Sequence, residues 1–356
     1  MPMINLKKIL TIVFCIVLNL NMNATTPAQK LIKRLQKLQL KGIMIGHQDD
    51  PVYGHSWKWE RGRSDIKEVC GDYPAVMGFD LGKKELGWDK NLDAVPFDRM
   101  REEIIAQYER GGIITLSWHP DNPVTLKTAW DFSGDAVKAV LPGGEQNNRF
   151  NCWLYNIASF IKSLKTAGGK SVPVIFRPWH EMGGGWFWWG AKAAEEYKQL
   201  FIYTHDQLEK KYHCNNIVWS YSPNGGCDDY MKYYPGDEYV DMMGIDIYEF
   251  DKDNAKYTEL TKSSLAEISA IAEKHNKIMA YTETGCQQLP YSDWFTTVLW
   301  PAIKDFKMSY VLFWRNAWDQ PKETYMASPG QPTEEDFKLL FNEKKSLFVN
   351  DIKDVK

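Results

Sequence analysis

Eight short apolar runs restrict the folding of this chain more than any other feature of its sequence. They are Ile43–Ile45, Ala75–Phe79, Ile113–Trp118, Val172–Phe176, Ile217–Tyr221, Met242–Ile247, Ile278–Thr282 and Tyr310–Trp314. A polar or aromatic turn follows each run. Between the runs, Met100–Arg110, Cys152–Thr166, Ala193–Lys211, Ser264–His275 and Asp293–Phe306 repeat apolar residues at three and four, the period of a helix with one buried face. Strands alternating with helices predict parallel βαβ units. Runs that are apolar almost throughout predict strands covered on both faces. Eight such units predict an α/β chain folded as one (β/α)8 TIM barrel rather than an open doubly wound sheet. The open sheet would call for a glycine-rich phosphate loop. No GxGxxG follows an early run, no GxxxxGK[ST] occurs, and Gly183–Gly185 is flanked by Glu and Trp.

No Pro/Ser-rich linker divides the 356 residues, so residues 25–356 are expected to form one catalytic domain. Residues 1–24 read differently. Lys7 and Lys8 precede an apolar run from Ile9 to Leu20, and Ala24 offers a small residue for cleavage. The run is too short to span a membrane comfortably, and Phe14 before Cys15 is bulky where lipid attachment wants a small residue. A removable signal peptide is expected, with the mature protein in the periplasm or outside the cell. Five cysteines follow it, an odd number, so at least one thiol stays unpaired within the chain. No CxxC is present, and no metal site is expected.

The net charge is -3 without long runs of one sign, so neither a nucleic acid nor an anionic membrane is an expected partner. Stable membrane insertion is not expected, and the protein is expected to be a monomer. Aromatic residues make up 14%, with 15 Trp and 18 Tyr. Most must pack the core. Several stand beside charged residues at strand ends, where a flat ring next to a hydrogen-bonding group suits a sugar.

In such a barrel the residues after each strand converge on one end. They are His47-Gln48-Asp49-Asp50, Asp80, Trp118-His119, Arg177 to Glu181, Ser222-Pro223-Asn224, Asp246 with Tyr248, Glu283, and Trp314-Arg315. A ring of this kind is expected of an enzyme. Glu181 and Glu283 follow strands on opposite sides of the mouth. Glycoside hydrolysis uses such a pair, one acid to protonate the leaving oxygen and one carboxylate as nucleophile or as base for water. Spacing decides between retention and inversion, and spacing is not in the sequence. A zinc-binding HExxH fails, because position 184 is Gly.

The segment Arg177-Pro178-Trp179-His180-Glu181-Met182, with Trp186-Phe187-Trp188-Trp189-Gly190 after it, resembles glycoside hydrolase family 26. So does Tyr281-Thr282-Glu283-Thr284-Gly285, and the likeness runs from Gly46-His47-Gln48-Asp49-Asp50 to Trp314-Arg315-Asn316. The resemblance implies a retaining β-mannanase with Glu181 as acid/base and Glu283 as nucleophile. It implies β-mannan or manno-oligosaccharides as substrate and no cofactor. It implies His119, Arg177, His180, Trp186, Tyr248, Trp314 and Arg315 around the cleaved sugar, with Arg177 paired to Glu283 and Tyr248 holding the nucleophile. His47 and Asp80 are expected to shape the barrel mouth. Gly183 departs from the family, where many members carry Asn. Within the family, a β-1,3-xylanase or lichenase is the alternative; outside catalysis, a glycan-binding barrel is. Internal cleavage and chain-end release both occur in the family, and the long charged stretch Gly82–Pro96 is a candidate loop for closing one end of the groove.

Overall fold

The structure is a computed structural model, and it describes residues 25–355. The expected signal segment lies outside the described residues. Eight parallel strands form the barrel: β1 (Ile43–Gln48), β2 (Val76–Asp80), β3 (Ile113–Trp118), β4 (Val174–Pro178), β5 (Ile217–Tyr221), β6 (Met242–Glu249), β7 (Ile278–Cys286) and β8 (Tyr310–Phe313). Each pairs with its neighbours in sequence, and β8 pairs back onto β1, with Met44 opposite Tyr310, to close the ring. A two-residue strand β9 (Ser346–Leu347) adds to β1 at the start of the barrel.

The helices are α1 (Pro27–Leu38), α2 (Asp65–Cys70), α3 (Phe97–Glu109), α4 (Asn147–Ser163), α5 (Ala194–Asp206), α6 (Asn254–Lys274), α7 (Trp300–Ile303) and α8 (Glu334–Phe341). The link from β5 to β6 carries none. The expected helix Asp293–Phe306 is broken. Pro301 lacks an N–H, and the chain before it widens into a π turn at Phe295–Leu299 before the short α7.

Strand period sorts the side chains into two layers. Met44, Val76, Ile113, Ile175, Val218, Met242, Ile278 and Tyr310 form a cluster inside the barrel. Their neighbours in sequence, such as Ile45, Met77, Ile114, Phe176, Trp219 and Met243, join the larger cluster beneath the helices. Space inside is tight: a Cβ on Gly78 would sit 2.0 Å from Gln48 Oε1. The lower end of the barrel is plugged by α1, through Leu31, Leu35 and Leu38. This helix escaped the sequence reading. Its start is marked by a capping box, in which Thr26 Oγ1 accepts from Gln29 N and Gln29 Oε1 accepts from Thr26 N, both at 3.1 Å, with Pro27 next.

Six of the eight strands begin or end elsewhere than expected. The fourth strand begins at Val174 rather than Val172, because Pro173 has no N–H for the ladder and Val174 N is the first to bond across, to Asn216 O. His47 and Gln48 lie within β1 rather than after it. Tyr248 lies within β6 and Glu283 within β7, so neither follows its strand. All five mature cysteines are unpaired thiols.

Candidate active site

The inner face of each strand changes character along its length. Going up β4, Ile175 is followed on the same face by Arg177; going up β6, Met242 and Gly244 by Asp246 and Tyr248. In β7 the alternation would carry Ile278, Ala280 and Thr282 inward and turn Glu283 toward the helices. A bulge prevents this. Ile245 faces Tyr281 in the β6–β7 register, but Asp246 faces Glu283, so the register slips by one residue at Thr282. Thr282 and Glu283 both point inward, while Thr284 turns outward to Tyr257 and Tyr281.

Glu283 is held from two sides. Arg177 donates through Nη2 to its Oε1, and Tyr248 OH donates to Oε2 at 2.7 Å. Arg177 also donates through Nη1 to Asp246 Oδ2 at 2.7 Å, and Thr282 Oγ1 donates to Asp246 Oδ1 at 2.6 Å. Burial works against the charge on Arg177, yet Asp246 and Glu283 hold it firmly protonated. One oxygen from each of Glu181, Asp246 and Glu283 lies within 4.8 Å of the others. A trio of acids could attract a cation, but the guanidinium of Arg177 already meets the charge of two of them.

Glu181 reaches the same space from a strained turn. Trp179 and Glu181 both adopt positive φ, 58° and 54°, which is uncommon for side chains of this size. The surroundings fix the turn. Trp179 is buried against Trp118 with ring centroids 4.9 Å apart, and donates to Thr204 Oγ1 at 3.1 Å. Glu181 N donates to Ser222 O at 2.8 Å. Trp186 Nε1 donates to Glu181 Oε2 at 2.7 Å. Burial lifts the Glu181 pKa to about 7, the Glu283 charge adds to the lift, and Trp186, Arg177 and His119 oppose it.

A histidine pair lines the opposite wall. His119 Nδ1 lies 2.6 Å from Asp80 Oδ2, and His119 Nε2 lies 3.0 Å from His180 Nε2. Burial disfavours charge on His119, but Asp80 overcomes it and raises the pKa. Burial, then the charges of Arg177 and His119, push His180 well down. His119 Nδ1 thus donates to Asp80, one N–H bridges the two Nε2 atoms, and His180 Nδ1 is buried without a protein partner.

The cavity has a volume of about 490 Å³. Of the expected residues, His119, His180, Glu181, Trp186, Tyr248, Glu283, Trp314 and Arg315 line it. Arg177 does not; it sits beneath the cavity and acts on Glu283. Arg315 lines the wall with its guanidinium already engaged, by Asp93 from the loop after β2 and by Glu323 from the loop after β8. The stretch Gly82–Pro96 is thus tied, past β1, to the loop after β8. Trp130, Phe187 and Tyr325 also line the cavity and were not among the expected site residues. Trp130 stacks on His119 at 5.4 Å and 9°; its loop has no strand signal to flag it. Gly183 has a local reason: a Cβ there would lie 2.1 Å from Cys227 Sγ, the space a larger residue would need.

A larger concavity, of about 820 Å³, lies at the other end of the barrel. It holds no carboxylate pair, so chemistry and not size singles out the mouth.

Residues 20–306 match the profile of Glycosyl hydrolase family 26. The chain is 35% identical over 281 residues to a mannan endo-1,4-beta-mannosidase of Bifidobacterium adolescentis, covering 74% of this chain and 27% of that protein. It is 31% identical to the mannan endo-1,4-beta-mannosidase of Bacillus subtilis over 71% of this chain and 69% of that one. The fold superposes on a GH26 beta-mannanase from Bacteroides ovatus with TM-score 0.90 and 42% identity, covering 93% of this chain and 98% of that one. It superposes on the catalytic domain of an endo-beta-1,4-mannanase from Bacillus sp. JAMB-750 with TM-score 0.85 and 32% identity, covering 93% of each chain. The barrel, the paired glutamates at its mouth and these likenesses agree, and the chain belongs to glycoside hydrolase family 26.

Proposed function

We propose that this protein is a retaining β-mannanase that hydrolyses β-1,4-mannosidic bonds by double displacement. The observation that carries this reading is the Glu181–Glu283 pair: two carboxylates with oxygens within 4.8 Å, in opposed electrostatic settings. Retaining enzymes hold their carboxyl groups about 5 to 5.5 Å apart, and inverting enzymes about 6.5 to 9.5 Å, to leave room for a water. The mannanase relatives support the choice of mannan as substrate and of internal cleavage.

In the first step Glu283 attacks the anomeric carbon while Glu181 gives its proton to the leaving oxygen. Arg177 and Tyr248 hold Glu283 in place by hydrogen bonds to its two oxygens. Glu181, with a pKa of about 7, holds a proton near neutral pH. Once Glu283 is an ester its charge is gone, and with it one cause of the raised Glu181 pKa. Glu181, having given up its proton, then stays a carboxylate and takes a proton from the attacking water in the second step. His180 Nδ1 is free to bond a sugar hydroxyl, and Trp186 and Trp314 offer ring faces to the sugar. Arg177 is assigned a positioning role and Arg315 a wall role.

Proton NMR of fresh hydrolysate tests the mechanism. The β anomer should appear first; an initial α anomer would make Glu283 a base for water. Mannan, glucomannan, β-1,3-xylan and lichenan tested side by side separate the mannanase from its family alternatives, and no hydrolysis of any would point to a binding barrel. We further read residues 1–24 as a signal peptide that directs the protein out of the cytoplasm. N-terminal sequencing of the exported protein should begin near Thr25, which would leave the Thr26 cap of α1 intact.

A further inference from the structure

The end of the barrel opposite the mouth carries a concentration of positive charge that the net charge of -3 conceals. From Pro27 to Lys41 there are five cations, Lys30, Lys33, Arg34, Lys37 and Lys41, and no acid. Because α1 turns Leu31, Leu35 and Leu38 into the barrel, its lysines are left on the outside. The loop before β4 adds Lys170, and the end of the chain adds Lys353. Lys30, Lys33, Arg34, Lys37, Lys170 and Lys353 line one groove of about 820 Å³, with Glu109 the only carboxylate among its lining residues. Among the described residues, no carboxylate forms an ion pair with Lys30, Lys33, Lys41, Lys170 or Lys353. Arg34 is different, since its guanidinium is spent on the carbonyls of Gly111, Ile352 and Val355. Neither the net charge nor the lack of long one-sign runs reveals this groove.

A second feature sits on the same face. Leu40, in the turn between α1 and β1, is 72% exposed, more than any other large apolar side chain among the described residues. It stands between Lys37 and Lys41. Lysines around an exposed leucine fit a surface that is anionic outside and apolar just beneath.

We infer that the floor of the barrel is a peripheral docking surface for bilayers containing anionic phospholipid. Lysines bind the head groups by charge, and Leu40 enters the interface. The mouth opens on the opposite end of the strands, so a docked molecule keeps its cavity toward solvent. Because the apolar face of α1 is buried in the barrel, the helix itself does not insert. The inference is independent of the catalytic reading.

The test is co-sedimentation of the mature chain with vesicles. It should pellet with phosphatidylglycerol–phosphatidylcholine vesicles, stay soluble with phosphatidylcholine alone, and be released by high salt. The triple variant Lys30→Glu, Lys33→Glu, Lys170→Glu should lose at least about tenfold in binding, since each lysine near the surface contributes separately. Leu40→Ser should weaken binding less, at unchanged salt dependence. Both variants should keep their melting temperature and their hydrolytic rate within error, because neither touches the mouth. Equal binding to both vesicle types, wild-type binding by the triple variant, or no sedimentation at all would each overturn the inference. So would capture of a soluble anionic polysaccharide, such as polygalacturonate, with no vesicle binding.

Discussion

The two ends of this barrel are made by the same eight strands and obey different rules. At the floor, the inner faces are apolar, α1 plugs the opening, and charges stay outside. At the mouth, Arg177, Asp246 and Glu283 are buried together, His119 is hydrogen-bonded to Asp80, and Trp179 and Glu181 sit at positive φ. Buried charge and strained backbone do not stabilise a fold, and breaking one partner of a buried pair costs about 3 to 5 kcal/mol. The floor supplies the stability against which the mouth is held. Changes at the two ends should therefore separate into loss of activity and loss of stability.

The largest effect is expected from Glu283→Ala. Without a nucleophile, turnover should fall by roughly 10⁴-fold or more on every substrate, while Asp246 keeps Arg177 paired and the chain still folds. Steady-state kinetics and calorimetry on the same preparation check both halves. Next comes Glu181→Ala. Mannan hydrolysis should fall by about 10² to 10⁴-fold, but aryl mannosides with good leaving groups should retain most of their rate, since they need little protonation. Equal losses on both substrates would remove the acid/base role.

The floor should answer differently. Leu35 is fully buried, and Leu35→Ala should cost about 2 to 5 kcal/mol of stability by opening a cavity in the plug. Below its melting temperature the variant should turn over at the wild-type rate. A lowered kcat in the folded variant would show that the two ends are not separable. Thr26→Ala, which breaks the capping box of α1, should cost about 1 kcal/mol in denaturant titration and again spare kcat.

The smallest expected effect sharpens the mouth. Glu181 must be protonated to act as acid, and its pKa is about 7, so kcat/KM should be full at lower pH and fall as pH rises through about 7. Trp186 lowers that pKa by its hydrogen bond. Trp186→Phe should move the alkaline limb to higher pH. A limb that moves down would mean that the bond does not act on the charged form.

Much of this was legible in the residues. The eight apolar runs fell on the eight strands, and the ring of polar residues after them came together at one end. Period alone found these, because a strand buried on both faces has few ways to be written. Weak or local signals were missed. The first ten residues of α6, Asn254–Ser263, are too polar to show a period, and α1 lies beside the targeting segment that dominates its neighbourhood. Trp130 sits in a loop with no regular pattern, and only its stacking on His119 marks it.

What the sequence determined by itself was the architecture and which carboxylates would stand near the strand ends. Hydrophobic period is a local property, and the motif around Glu181 carries its chemistry in consecutive residues. What only the tertiary structure decided was where those acids point and what surrounds them. By alternation Glu283 should face the helices, and it faces the mouth because β7 slips one residue against β6 at Thr282. The raised pKa of Glu181 is set first by burial and then by Glu283, a residue far from it in sequence. The basic floor is likewise a matter of assembly, since net charge is a sum and a surface is an arrangement. Pairing, burial and register act through space, and no window along the chain contains them.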